Sequence, residues 1–171
     1  MSEEIFDVVN ENDEVIDRRP RREVHSLGLR HRAVHILVFN NAGDVFLQKR
    51  SATKDTHPRT WDSSTSGHVD SGEDYDQAAV RELGEEIGLS MTDTPERLFK
   101  IDACTETDQE FVWIYRTNAE GPFQLHPDEI EAGGWFASER VTEWMTACPG
   151  DFAPAFRHLW RRYLSSVVGS S

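Results

Sequence analysis

Cysteine is scarce in this sequence. Cys104 and Cys148 stand far apart and outside any paired metal-ligand spacing. A disulfide scaffold does not suit a chain of 171 residues, and both thiols read as ordinary buried or half-buried side chains. No apolar run approaches the length of a membrane span, and the N-terminal MSEEIFDVVNENDE is acidic without an apolar signal core. A cytoplasmic protein with no membrane partner is expected. Positive charge is also in short supply: 18 Lys and Arg face 31 Asp and Glu, for a net charge of -13. Such a surface repels nucleic-acid backbones and anionic lipid, so no nucleic-acid partner is expected. It would equally repel a phosphorylated metabolite unless bound cations inverted the local field. Repeats and low-complexity segments are absent. The length allows one core, expected as a single domain over 1–165 with residues 166–171 fraying beyond it, acting as a monomer or homodimer.

What is present reads as mostly β with a few helices. EIFDVVNENDEVIDRRP suggests two short strands turning at Asn10–Asp13, and RREVHSLGL one helical turn ending near Gly28. Ala33–Phe39 and Val45–Gln48 form the clearest hairpin, around Asn40–Gly43. A polar loop covers 51–60, and Trp61–Thr65 reads as a short strand. FKIDACTE and EFVWIYRTN look like an antiparallel pair, and GGWFA like a last strand. Ser138 is the expected cap of a helix stopped by Pro149. The closing helix should bury Phe156, Leu159, Trp160 and Tyr163. The class implied is a mixed sheet with helices packed on it.

The most informative stretch is SGHVDSGEDYDQAAVRELGEEIGL, residues 66–89. Asp74 and Gln77 make a capping box, and Gly88 supplies the stop, so a helix is expected between Tyr75 and Ile87. Ala79, Leu83 and Ile87 form an apolar stripe, leaving Glu82, Glu85 and Glu86 for the other side, with Arg81 reaching Glu85. Gly84 suggests a close approach or a tolerated defect. Like charges that close need solvent, an arginine or a divalent cation to offset them. A glycine-bearing loop directly precedes the cluster and lets a backbone approach a ligand. Hard oxygen ligands suit Mg2+ or Mn2+, and Mg2+ suits phosphate substrates.

These residues resemble the Nudix box at every defining position: Gly67, Glu73, Arg81, Glu82, Leu83, Glu85, Glu86, Gly88 and Leu89, over 67–89. The resemblance implies an α/β (α+β) architecture, the Nudix fold, with a mixed β-sheet sandwiched between helices. It also implies Mg2+- or Mn2+-dependent hydrolysis of a nucleoside diphosphate linked to another moiety. By position, Glu82, Glu85 and Glu86 would be metal ligands, with Glu82 beside the attacking water. Glu73 and Arg81 would brace the loop, and Gly67 would offer its carbonyl. The small-molecule partner expected is a nucleotide or other diphosphate.

A second resemblance covers residues 22–68, which look like the N-terminal half of type I isopentenyl diphosphate isomerases and their Nudix relatives. His25, His31 and His68 lie where the isomerases carry metal-binding histidines, Asp108 and Glu110 roughly where they carry acidic ligands, and Arg50 and Lys54 where they contact diphosphate. The isomerase cysteine, however, is replaced by Ser66, and the isomerase box is degraded whereas this one is intact. A hydrolase on an isomerase-like scaffold is therefore expected. Glu82 is the first candidate for general base and Glu110, from the strand opposite, the second. Without the cysteine, His25 and His31 are expected to be structural, and His68 to lie near substrate. Trp61, Phe111, Trp113 and Tyr115 are candidates to stack a base, and the run Arg18, Arg19, Arg21, Arg22 reads as a solvated patch.

Overall fold

The computed structural model describes residues 3–168. Its N-terminal hairpin, β1 (Ile5–Val9) and β2 (Val15–Pro20), turns where the Asn10 carboxamide oxygen accepts from the amides of Asn12 and Glu14, and Asp13 takes a positive φ. Helix α1 (Arg21–Ser26) follows Pro20, whose fixed φ suits the entry to a helix. Then come β3 (His31–Phe39), β4 (Val45–Arg50), β5 (Trp61–Asp62), β6 (Thr65–His68), α2 (Tyr75–Ile87), β7 (Glu96–Ile101) and β8 (Glu110–Asn118). The chain finishes with β9 (Ile130–Phe136), α3 (Ser138–Ala147) and α4 (Pro154–Val168). The helix α4 thus reaches into the segment expected to fray, whose last residues, 169–171, lie outside the described residues.

The main sheet runs β5-β4-β3-β8-β7, with β6 also on β3 and β9 also on β4. It is mixed: β3 pairs parallel with β8 and antiparallel with β6 and β4. Because successive side chains point to opposite faces, β3 feeds two cores. Ala33, Leu37 and Phe39 pack with Val141 and Met145 of α3 and Phe156, Leu159, Trp160 and Tyr163 of α4. Val34, Ile36 and Val38 pack with Ala78, Ala79, Leu83 and Ile87 of α2. Burial on both faces is why β3 reads as a nearly continuous apolar run. The result is a sheet sandwiched between helices. The N-terminal hairpin adds a small third cluster of Phe6, Val8 and Val24, tied to the sheet by a bridge between Phe6 and Asp70.

Two local expectations are corrected, and at Gly84 one of two alternatives is removed. Trp61–Thr65 is not one strand: β5 pairs with β4, and after Ser63 and Ser64 the chain changes partner so that β6 pairs with β3. Ser64 makes the switch possible. Its hydroxyl accepts from Val38 N at 2.8 Å and donates to Phe46 O, occupying backbone groups of β3 and β4. The cap of α3 is Ala137, without a side-chain bond, and Ser138 is already inside the helix. Gly84 has open space around the position of a Cβ, so close packing does not explain it.

Candidate active site

Helix α2 carries the acidic cluster. The Asp74 carboxylate accepts from Gln77 N at 2.8 Å while the Gln77 side chain accepts from Asp74 N at 3.0 Å, satisfying two otherwise orphaned amides. Gly88 closes the helix at φ +71°, a conformation cheap only for glycine. The glutamates differ from expectation. Ala79, Leu83 and Ile87 are buried, but so are Ala78, Glu82 and Glu86. The row through Ala78, Glu82 and Glu86 adjoins the apolar row, so α2 turns inward a face two rows wide, one of them acidic. Of the three glutamates only Glu85 is exposed, and Arg81 holds it at 3.1 Å.

Arg81 organises the cluster. Its Nε and Nη2 grip both oxygens of Glu73 at 2.8 and 2.9 Å, Nη2 also donates to His68 O at 2.9 Å, and Nη1 donates to Glu82 at 2.8 Å. Glu73 in turn accepts from Asp70 N at 3.1 Å, closing the loop between β6 and α2. Glu86 lies against β6. One of its oxygens accepts from Ser66 N at 2.8 Å, from the Thr65 hydroxyl and from Gln48 Nε2 at 3.3 Å. Gly67 leaves the room that Glu82 occupies: a Cβ there would stand 2.2 Å from its Cδ and Oε1.

Burial pushes Glu82 well above the usual carboxylate range, with the charge of Glu86 adding to it and Arg81 opposing. Burial likewise pushes Glu86 up to about 7, against the hydrogen bonds from Thr65 and Ser66. Two carboxylates that resist ionisation together, offering only hard oxygen donors, fit a divalent cation of the Mg2+ or Mn2+ kind.

The glutamates border a cavity of about 570 Å³. Arg50 and Lys54 line it, but both are engaged within the protein. Arg50 donates to Thr56 O at 3.0 and 3.2 Å and to Asp62 at 3.3 Å, and Lys54 pairs with Glu129. Arg21 was missed. Its neighbours Arg18 and Arg22 are solvated, but Arg21 is partly buried, bonds to Glu4 and Asp55, and lines the cavity. Glu129 was missed too; its loop carries no motif, and its place beside Lys54 comes only from the tertiary fold. The four aromatic candidates are elsewhere. Trp61 packs on Phe136 and Trp144, Phe111 and Tyr115 are buried, and Trp113 lies under Arg97.

Another centre opens on the same cavity. The ring nitrogens of His25, His31 and His68 lie within 4.8 Å of one another, with His25 Nε2 and His68 Nε2 3.4 Å apart. His31 Nδ1 is 2.9 Å from Leu29 O and donates to it, which leaves Nε2 as a buried lone pair without a hydrogen-bond partner. Glu110 Oε1 approaches His31 Nε2 and His68 Nε2 at 3.8 and 3.6 Å. Burial, with the charges of Arg21 and His25 adding, pushes His68 down to about 3, so its ring is neutral near pH 7. Three imidazoles and one carboxyl group suit a softer transition metal. Glu110 therefore sits with the histidines, while Asp108 pairs with His57 at 3.2 Å.

The model of the NUDIX domain matches residues 29–156. An uncharacterised Nudix hydrolase of Streptomyces coelicolor is 34% identical over 170 residues, covering 94% of this chain and 91% of that one. The crystal structure of DR0079 from Deinococcus radiodurans superposes with a TM-score of 0.81 at 28% identity, covering 93% and 98% of the two chains. A C. elegans Ap4A hydrolase in a binary complex gives a TM-score of 0.52 at 26% identity, covering 81% and 99%.

Proposed function

This chain belongs to the Nudix hydrolase family, whose members act on pyrophosphate bonds, and from that premise we propose that it cleaves a phosphoanhydride bond of nucleoside di- or triphosphates or related nucleotide derivatives, in the cytoplasm, with Mg2+ or Mn2+. The observation that carries the reading is the burial of Glu82 and Glu86 together against β6, at the one place where Gly67 leaves room. An acidic pair is not retained in such a position for stability, since each charge is costly to bury unless paired. The solved Ap4A hydrolase relative acts on a nucleotide derivative, in keeping with this substrate class.

Glu82, Glu85, Glu86 and the Gly67 carbonyl would hold the cation. When bound, the ion neutralises diphosphate charge and makes a coordinated water more acidic. Glu82 takes the proton of the attacking water. Arg81 holds Glu73, Glu82 and Glu85 in register through the bonds described above. Arg50 and Lys54 hold phosphate oxygens, Lys54 exchanging its pairing with Glu129 for the substrate. His68 borders the same space through its backbone contact with Arg81. His25, His31, His68 and Glu110 form a separate ligand set, so Glu82 rather than Glu110 is the base.

The test is a screen for phosphate release from nucleoside di- and triphosphates, nucleotide sugars and dinucleoside polyphosphates in Mg2+ or Mn2+. Turnover of at least one of these, abolished by excess EDTA, is expected. Undiminished turnover in EDTA, or none with any substrate, would contradict it.

A further inference from the structure

We infer that the inner end of the cavity reads the sugar of a nucleotide rather than its base, and that His35 Nε2 accepts a hydrogen bond from a sugar hydroxyl. The inference rests on the nucleotide reading above and names what that site discriminates.

His35 is on β3, one residue pair from the ladder position of Gly67, and its register partner on β6 is Ser66. The residue is only 5% exposed and lines the cavity. Nδ1 is fixed: it lies 2.8 Å from the Ser63 hydroxyl and 3.6 Å from Asp62 Oδ1. Asp62 is itself anchored by Ser63 N at 2.7 Å and by Arg50 Nη1 at 3.3 Å. A carboxylate on that side favours the proton on Nδ1, which leaves Nε2 with its lone pair. Nε2 makes no hydrogen bond within the described residues. Burial lowers the pKa of His35 and keeps the ring neutral. The group offered to a ligand is therefore a rigid acceptor, and the matching ligand group is a donor.

The walls around it say what kind of donor. Ala33, Ala153 and Ala155 share the cavity with His35, and among the described residues that line it there is no Phe, Tyr or Trp. A nucleobase is ordinarily held by stacking on such rings, and here it would find none. A ribose suits the space better, because it is small and carries hydroxyl donors. It is also the group bonded directly to the phosphate, so fixing the diphosphate on Arg50 and Lys54 brings it first within reach. Arg50 lines the cavity and holds the Asp62 carboxylate beside His35. The base is left without a Phe, Tyr or Trp platform among the described lining residues.

The experiment compares kcat/KM in Mg2+ for ADP, GDP, CDP, UDP and 2′,3′-dideoxy-ADP, on wild type and on His35→Phe. In parallel, calorimetry measures binding of the α,β-methylene analogues of the same compounds. The four bases should agree within about threefold, and loss of both hydroxyls should cost about tenfold or more, because a site built to bond a hydroxyl rejects the analogue lacking it. His35→Phe should abolish the difference between ADP and dideoxy-ADP, since the acceptor that distinguishes them is gone. The wild-type comparison stands even if that variant does not fold. Preference among bases above tenfold, with dideoxy-ADP equal to ADP, overturns the inference and leaves the hydrolase reading intact. Binding that discriminates the sugar without hydrolysis upholds the inference and removes nucleoside diphosphates from the substrates of the hydrolase reading. Binding of none of the compounds overturns the inference and leaves the hydrolase reading to the wider substrate screen above.

Discussion

Gly67→Ala separates position from fold at the acidic cluster. The added Cβ would meet Glu82 Cδ and Oε1 at 2.2 Å and Oε2 at 2.7 Å. Carbon contacts settle near 3.5 Å, so the carboxylate has to retreat by roughly 1 Å. What the methyl meets is the end of a side chain rather than backbone, so the strain is relieved by swinging Glu82 away. The overpacking cost should fall at the low end of its range, about 1 kcal/mol, and the melting temperature should drop by about 2–4 °C. The functional cost is larger. A displacement of about 1 Å in a catalytic group costs about 100-fold in rate, and the swing also stretches the 2.8 Å bond that Arg81 makes to Glu82. The assay is phosphate release in Mg2+ beside a thermal melt of the same preparation. A folded variant within threefold of wild-type turnover would refute the reasoning. So would a variant that does not fold, since the contact would then not be yielding.

Four further expectations concern other residues. The Asp13 carboxylate accepts from Arg32 Nε at 2.7 Å and from Tyr75 OH and Lys100 Nζ at 2.6 Å each; Asp13→Asn should cost about 3 kcal/mol in urea unfolding, and a loss below about 0.5 kcal/mol would contradict it. Burial acts to raise the pKa of Asp13, but its three hydrogen bonds together hold it below 3.8. Its contribution is therefore complete above that unfolded value and is lost as pH falls through the lower folded one, so melts between pH 5 and pH 2 should show a steeper loss for wild type than for Asp13→Asn. Arg81→Lys cannot hold Glu73, Glu82, Glu85 and His68 O at once, and should lower Mg2+ affinity about tenfold or more; unchanged affinity would remove Arg81 from that role. Ser66 offers no polarisable thiolate, so wild type incubated with isopentenyl diphosphate and Mg2+ should yield no allylic isomer by NMR, and appreciable isomer would reinstate the isomerase reading.

The helix between Tyr75 and Ile87 was legible because its signals are local: Asp74 and Gln77 cap it, Gly88 stops it, and its apolar residues recur at the helical period. The hairpin of β3 and β4 was legible for the same reason. What stayed hidden depends on contacts distant in sequence. Nothing near Ser63 and Ser64 tells that the chain changes strand partner there, since the groups they satisfy belong to β3, β4 and the His35 ring. Arg21 could not be told from its solvated neighbours, because only its place at the entry of α1 turns it to the cavity. The depth of Glu82 and Glu86 runs against hydropathy itself. Charge pattern alone puts acidic residues outside, and only the missing side chain at Gly67 and the bonds from β6 reverse that.

The central claim, that these buried glutamates form a site for a hard divalent cation, is tested most directly by calorimetric titration of Mg2+ into wild type and Glu86→Gln. Mg2+ is the ion to use because the histidine centre offers it only one oxygen-bearing side chain, Glu110. Glutamine matches glutamate in size and relieves a buried pair of carboxyl groups that resist ionising together, so without metal the variant should melt no lower than wild type. The account predicts saturable Mg2+ binding by wild type and at least a tenfold loss of affinity in the variant. Equal affinity in the two proteins, or no binding by wild type, would contradict it.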